Sequence, residues 1–190
     1  VEALASLGPG PGLPVGPVVD GTVLPQDPLA ALDAGAARGI PTLLGVNRDE
    51  YALFVSQDPV WAGDDEEALR QRVRQMVGPV PDALIDFYLQ RRPQASLRER
   101  LVPLLNYAVF TGGVLETAER QARQGSPVWV YRFDWATPIG NGQLGACHAL
   151  EIPFVFNNLH RPSAEAFTGT GPERQALADA MHRAWVAFAR

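Results

Sequence analysis

The chain of 190 residues has one cysteine, Cys147, so no disulfide can form within it. It has no lysine: all 16 basic residues are arginines, interspersed with 21 acidic ones for a net charge of −5. No basic run could neutralise a line of phosphates, which excludes nucleic acid and anionic membrane as partners. No uninterrupted apolar run approaches the roughly 18 residues of a membrane span. Only three histidines occur, His148, His160 and His182. With Glu151 they show none of the short spacings of a zinc site, so no metal site is expected. Internal repeats and low-complexity tails are missing as well.

What is present suffices for a core. With 46% hydrophobic residues, a chain of this size buries roughly 70% of the surface it exposes unfolded, as one globular domain or part of a larger one. The arginine bias, beside many Ala, Gly and Pro residues, reads as GC-biased coding rather than function. Val1 stands without a methionine, and SLGPGPGLPVGP reads as a loop, so the expectation is that this start is not a native one. The compartment stays open between cytoplasm and secretion.

Turn residues and periodicity divide the rest. PVVDGTVLP reads as a short extended piece around an Asp20-Gly21 turn. Residues 28–38 have helical composition, with Pro28 at the start and Gly39 at the stop. GIPTLLGVN is the short apolar run of a strand buried on both faces, and it delivers NRDEY into a loop. Residues 64–124 are mostly helical. Asp64 and Asp65 can cap EEALRQRVRQMV, PDALIDFYLQ follows, and a third region from Leu97 to Gln124 is expected to bend at Pro103 or at Gly112-Gly113. SPVWVYRFDW is the best strand, the Gly-rich TPIGNGQLGACH follows, and Thr170 with Glu173 resembles a capping box for a last helix bearing Leu177, Met181, Trp185 and Phe188.

This order of strand, acidic loop, helices, strand, histidine loop and helix is that of an α/β fold with a parallel sheet, in which chemistry collects at the strands' carboxyl ends. Both NRDE and ACH lie at such ends. If the two strands are parallel neighbours, Glu50 can hydrogen-bond one nitrogen of His148 and leave the other to take a proton from a hydroxyl or thiol. Asp49 rivals Glu50 for this place, because it follows the same strand. Cys147 reads as a packing residue, Glu151 as a partner of loop backbone or an arginine, and His160 and His182 as surface or capping residues.

PVVDGTVLP, LLGVNRDEYALF, PVWVYRFDW and LGACHALEIPFVFNNL, in this order and spacing, resemble the C-terminal portion of the type-B carboxylesterases, the group of the para-nitrobenzyl esterases and cholinesterases. The resemblance runs from about Gly16 to Arg190. It implies the C-terminal part of an α/β-hydrolase fold, with parallel strands and a helical insertion between them. The implied segments are 1–27 (loop and short extended piece), 28–54 (helix, strand and acid loop), 55–125 (helical insertion), 126–160 (strand and histidine loop) and 161–190 (C-terminal helix). The motif resembling N-x-D-E-G assigns the triad acid to Glu50, and that resembling G-A-x-H-x-x-E-[IL]-P assigns the general base to His148. Tyr51 and Ala149 stand where glycines are common, which touches only local backbone geometry.

Ser6, Ser56, Ser96, Ser126 and Ser163 all lack the G-x-S-x-G context of the family's nucleophile. The resemblance therefore implies a serine elsewhere, a small-molecule carboxylic ester as substrate, no cofactor, and the missing N-terminal part of the same fold as partner, with room for a homo-oligomer. The alternative is a cholinesterase-like adhesion or binding protein without turnover. In the family the insertion's aromatics, Phe54, Trp61, Tyr107 and Phe110, would help wall the substrate pockets; taken singly, each reads first as core packing.

Overall fold

The computed structural model describes residues 17–190; the expected N-terminal loop lies mostly outside them. Two strands, β1 (Thr42–Asn47) and β2 (Val128–Phe133), pair with each other. The Thr42 N–H donates to the Pro127 carbonyl at 3.0 Å and the Arg48 N–H to the Phe133 carbonyl at 2.9 Å. Both strands thus advance in the same direction, a parallel ladder. The chain forms two compact units: the described residues up to Leu44 with Val60–Val130, and Gly45–Pro59 with Tyr131–Arg190.

In the first unit, the Asp20-Gly21 turn is built by the Asp20 carboxylate, which accepts from the N–H groups of Thr22, Val23 and Leu24 at 2.9–3.0 Å. No strand forms around it. Helix α1 (Pro28–Asp33) is capped by Asp27 and ends well short of the expected residue 38. Gly35 stops it at φ +86°, with the Gly35 N–H on the Leu32 carbonyl and the Ala36 N–H on the Ala31 carbonyl. That paired closure needs a left-handed residue after the helix, and Gly35 supplies it before Gly39 is reached.

A four-residue helix, α2 (Ala52–Val55), belongs to the other unit. Asp65 caps α3 (Glu66–Val77), accepting the Ala68 N–H at 3.0 Å. Its Leu69 and Val73 lie one turn apart and are fully buried. Helix α4 (Asp82–Arg91) buries Ile85 and Leu89. Helix α5 (Leu97–Asn106) packs against both α3 and α4, burying Leu101, Leu104 and Leu105, each contributing about 1.5–3 kcal/mol. Its start is a capping box of Ser96 and Glu99, whose carboxyl the Ser96 hydroxyl and N–H hold below its ordinary value.

Pro103 has no N–H for the Glu99 carbonyl, and the Arg92 guanidinium donates there instead. Between the two positions where a bend is expected, the helical path widens rather than breaks. Tyr107–Thr111 is π-helical, and the Gly112 N–H reaches back five residues to the Tyr107 carbonyl. Helix α6 (Gly112–Arg123) continues from it. The whole path Leu97–Arg123 is long and apolar enough to cross a membrane by length and composition alone, but its leucines form the core of this unit. Arg120 ion-pairs with Asp33, and the Gln124 amide donates to the Asp33 carbonyl at 2.8 Å, tying α6 to α1.

In the second unit, Tyr131 lies across Gly45, where a Cβ would meet its ring at 2.0 Å, and its other edge meets Trp185 at 4.8 Å between centroids. Phe133 packs on Phe154 of α7 (Ile152–Val155), against which the last helix, α9 (Pro172–Phe188), is set. Helix α8 (Pro162–Thr168) lies between them in sequence. The expected capping box before α9 does not form: Gly171 is the N-cap and no side chain caps the helix. Pro172 fixes the first helical φ, so the helix starts one residue too late for Thr170 to cap it. Of the face expected on α9, Leu177, Met181 and Trp185 are half-buried and Phe188 is exposed, while Ala178 is fully buried.

The strands are less covered than their composition predicts. Residues 42–45 of β1 are only half-buried, and Trp129 of β2 is 51% exposed. A strand this apolar is built for layers on both faces, and these residues do not supply both.

Candidate active site

The strand ends bring two loops together. After β1 the chain turns through Arg48 and Asp49 to Glu50, and the Gly-rich loop after β2 ends in Gly145, Ala146, Cys147 and His148. The loops are laced by backbone. The Asp49 N–H donates to the Ala146 carbonyl at 2.9 Å and the His148 N–H to the Glu50 carbonyl at 3.3 Å. Residues 98 positions apart thereby become neighbours: Glu50 Oε2 lies 2.8 Å from His148 Nδ1.

The Glu50 side chain is only 8% exposed, whereas that of His148 is 45% exposed. A buried carboxylate is tolerated only when hydrogen-bonded. Here one oxygen faces the imidazole and the other accepts the Asn47 N–H at 2.7 Å. A carboxylate oxygen only accepts, so in the neutral imidazole this contact places the ring proton on Nδ1 and leaves Nε2 as the acceptor.

Asp49 faces elsewhere. Its Oδ2 accepts the Ala146 N–H at 2.8 Å and Arg48 Nε at 2.9 Å, so it braces the histidine loop from the side. Gly145 makes room for it: a Cβ there would lie 2.2 Å from that same oxygen, and its φ is +56°. Cys147 is fully buried, and burial pushes its thiol up to about 11, the property of a packing residue rather than a nucleophile. Glu151 departs from the expected backbone or arginine contact and accepts Asn47 Nδ2 at 2.5 Å.

Cys147–Leu150 is a tight turn closed by the Leu150 N–H on the Cys147 carbonyl at 3.2 Å, with Ala149 at φ +65°. A positive φ at the third turn residue is what glycine adopts without strain, which is the physical sense of a glycine at that position. Tyr51, by contrast, has φ −76° and needs none.

His160 is exposed, and His182 Nδ1 lies 2.9 Å from the Val155 carbonyl at the end of α7, a helix-capping contact. Trp61 is buried in the core. Phe54 departs from core packing: it is 44% exposed and its ring lies 5.3 Å from those of both His148 and Tyr51. Among the described residues no three His, Cys, Asp or Glu side chains converge as a metal site would require. Sequence reasoning overlooked Asn47 and Gly145. Each stands three positions before an assigned residue within the quoted motifs, Asn47 before Glu50 and Gly145 before His148, and that place in the motif was the available signal.

The carboxylesterase family's sequence profile matches residues 2–190. The chain is 33% identical over 175 residues to the para-nitrobenzyl esterase of Bacillus subtilis, an alignment covering 92% of this chain and 34% of that protein. It is likewise 33% identical over 180 residues to the fumonisin B1 esterase of Sphingopyxis macrogoltabida, covering 93% of this chain and 32% of that one. Among solved structures, a Geobacillus stearothermophilus carboxylesterase superimposes with a TM-score of 0.81 at 49% identity, over 98% of this chain and 38% of its own. The chain thus spans about a third of the length of these relatives and has the α/β-hydrolase fold in part.

Proposed function

This chain belongs to the carboxylesterase family, and from that membership we propose that it carries the acid and the general base of a serine ester hydrolase. The observation that supports this most directly is the buried Glu50 carboxylate 2.8 Å from Nδ1 of the half-exposed His148. Glu50 orients the imidazole and stabilises the imidazolium that forms on proton transfer. His148 Nε2 takes the proton of a serine hydroxyl as that oxygen attacks the ester carbonyl, then returns it to the leaving alkoxide. Water, activated by the same nitrogen, releases the acid and regenerates the serine.

The nucleophile lies in the part of the fold outside this chain. Three of the serine hydroxyls among the described residues have structural work: Ser56 donates to the Leu53 carbonyl at 2.6 Å, Ser96 caps α5, and Ser126 accepts the Gly39 N–H at 2.9 Å. The sheet's partial exposure fits a fold whose remaining strands come from that other part. On this reading the 190 residues alone do not turn over p-nitrophenyl esters, because triad members act as a unit.

The test is the full-length reading frame, expressed and assayed on p-nitrophenyl acetate and butyrate with and without a serine-directed organophosphate. Turnover that the organophosphate abolishes, and that His148→Gln lowers by several orders of magnitude, is the expected result. Full activity in His148→Gln, or serine-dependent turnover by the 190-residue chain alone, overturns the assignment. A full-length protein that binds without turnover would favour the adhesion-type alternative.

A further inference from the structure

The hydrogen bonds around Asn47 form a pattern that the acid–base pair alone does not require. Asn47 is buried, and its side-chain nitrogen has two partners, the Cys147 carbonyl at 2.7 Å and Glu151 Oε2 at 2.5 Å. Both partners only accept. A group that serves them together must offer two N–H donors from one point, which a primary amide does; an aspartate offers none and a serine one. The backbone N–H of the same residue is the donor to Glu50 Oε1.

The position of these bonds matters more than their number. The peptide joining Cys147 to His148 is held at both edges: its carbonyl by the Asn47 amide and its N–H by the Glu50 carbonyl. The Leu150 N–H also reaches that carbonyl, but from within the same turn, so it cannot fix the turn relative to the acid. The Asn47 amide does so from β1. We propose that Asn47 is the positioning residue of the Glu50–His148 pair, its amide holding the histidine loop where Nδ1 meets the carboxylate, with Glu151 as the acceptor that keeps the amide nitrogen turned inward. If the Asn47 amide is removed, the carbonyl keeps only its local turn bond, the loop stays tied to the acid only through Asp49 and the Glu50 carbonyl, and the imidazole can drift. A misplacement of about 1 Å can cost about a hundredfold in rate.

The experiment uses the complete enzyme proposed above and two readouts. The first does not depend on esterase chemistry: the far-downfield proton resonance of His148 Nδ1–H, assigned by its loss in His148→Gln. The wild-type protein shows the signal, Asn47→Ala loses it or exchanges it with water at least about tenfold faster, and Glu151→Gln keeps it because an amide oxygen still accepts from Asn47. The second rests on the esterase reading: in Asn47→Ala, kcat falls up to about a hundredfold while KM stays within about twofold, the split expected when geometry at the reacting centre is lost but binding is not. A folded Asn47→Ala protein with the wild-type signal, or with the signal lost and kcat unchanged, overturns the proposal. Should Asn47→Ala fail to fold, Glu151→Ala against Glu151→Gln decides: a signal weakened in the first and kept in the second supports it, and equal behaviour overturns it. If the wild-type enzyme hydrolyses no ester, the esterase reading fails and the proton signal still decides the role of Asn47.

Discussion

Replacing Gly145 with alanine is a small change whose cost can be worked out from the loop geometry. Its φ of +56° is left-handed, which costs an L-residue about 1–2 kcal/mol. Its Cβ would stand 2.2 Å from Asp49 Oδ2 and 2.8 Å from Cγ, so the carboxylate must move. That oxygen accepts the Ala146 N–H at 2.8 Å, and Ala146 is fully buried; a buried donor left without a partner costs about 1–3 kcal/mol. The two together amount to about 2–5 kcal/mol, against total stabilities of about 5–15 kcal/mol.

Denaturant unfolding of the full-length protein measures this, with Gly63→Ala as the control. Gly63 has ordinary backbone and nothing nearer its Cβ than the Val60 carbonyl at 3.8 Å, so its substitution is expected to stay within about 0.5 kcal/mol. The steric part can be isolated in an Asp49→Ala background. There the Gly145→Ala cost should fall to the backbone share of about 1–2 kcal/mol, because the atom it strikes has gone. Additive costs, or a single substitution as mild as the control, would refute the reasoning.

Three further outcomes are expected. Glu50→Gln lowers kcat by about 10⁴, the scale seen when a triad acid is made neutral, while Asp49→Asn mainly lowers stability because its bonds serve backbone and Arg48; steady-state kinetics and melting of both variants check this, and exchanged roles would sink the assignment. Ala149→Gly, at φ +65°, raises the unfolding free energy, measured by denaturant titration, by roughly 0–1.5 kcal/mol, the left-handed strain relieved less the greater freedom of glycine in the unfolded chain. The Cys147 thiol, pushed up from 9.0 to about 11 by burial, resists alkylation at pH 8 in the native protein and reacts on unfolding. Since its folded value is the higher one, its contribution to stability is whole below pH 9 and is lost as pH rises towards 11, measurable as a falling denaturation midpoint over that window.

The features legible in the sequence were those carried by local pattern. Asp65 before an amphipathic run gave α3, Gly78 its end, and alternating β-branched and aromatic residues gave β2. Where two local signals competed, reading alone could not rank them. Thr170 and Glu173 have the capping-box spacing, and so do Ser96 and Glu99; Pro172 between the first pair shifts the helix start and removes the box. Gly39 reads as the stop of the first helix, but Gly35 comes earlier and closes both terminal bonds. Pro103 and Gly112-Gly113 both signal a disturbance of the helix, and the wide turn forms at neither but between them, at Tyr107–Thr111.

The candidate site divides along the same line. Motif resemblance singled out Glu50 and His148, but the reasons they meet are relations across the fold, and no window of sequence contains them. Asn47, Asp49 and Gly145 act on partners about a hundred residues away. Ala149 shows how strongly those relations bind: an alanine there still takes the left-handed turn that glycine would take freely. The turn bond, the Asn47 amide and the Glu50 carbonyl together outweigh about 1–2 kcal/mol of local preference. A loop that keeps its shape against its own residue's preference is over-determined by its surroundings, which is the condition under which a histidine can be held to one carboxylate.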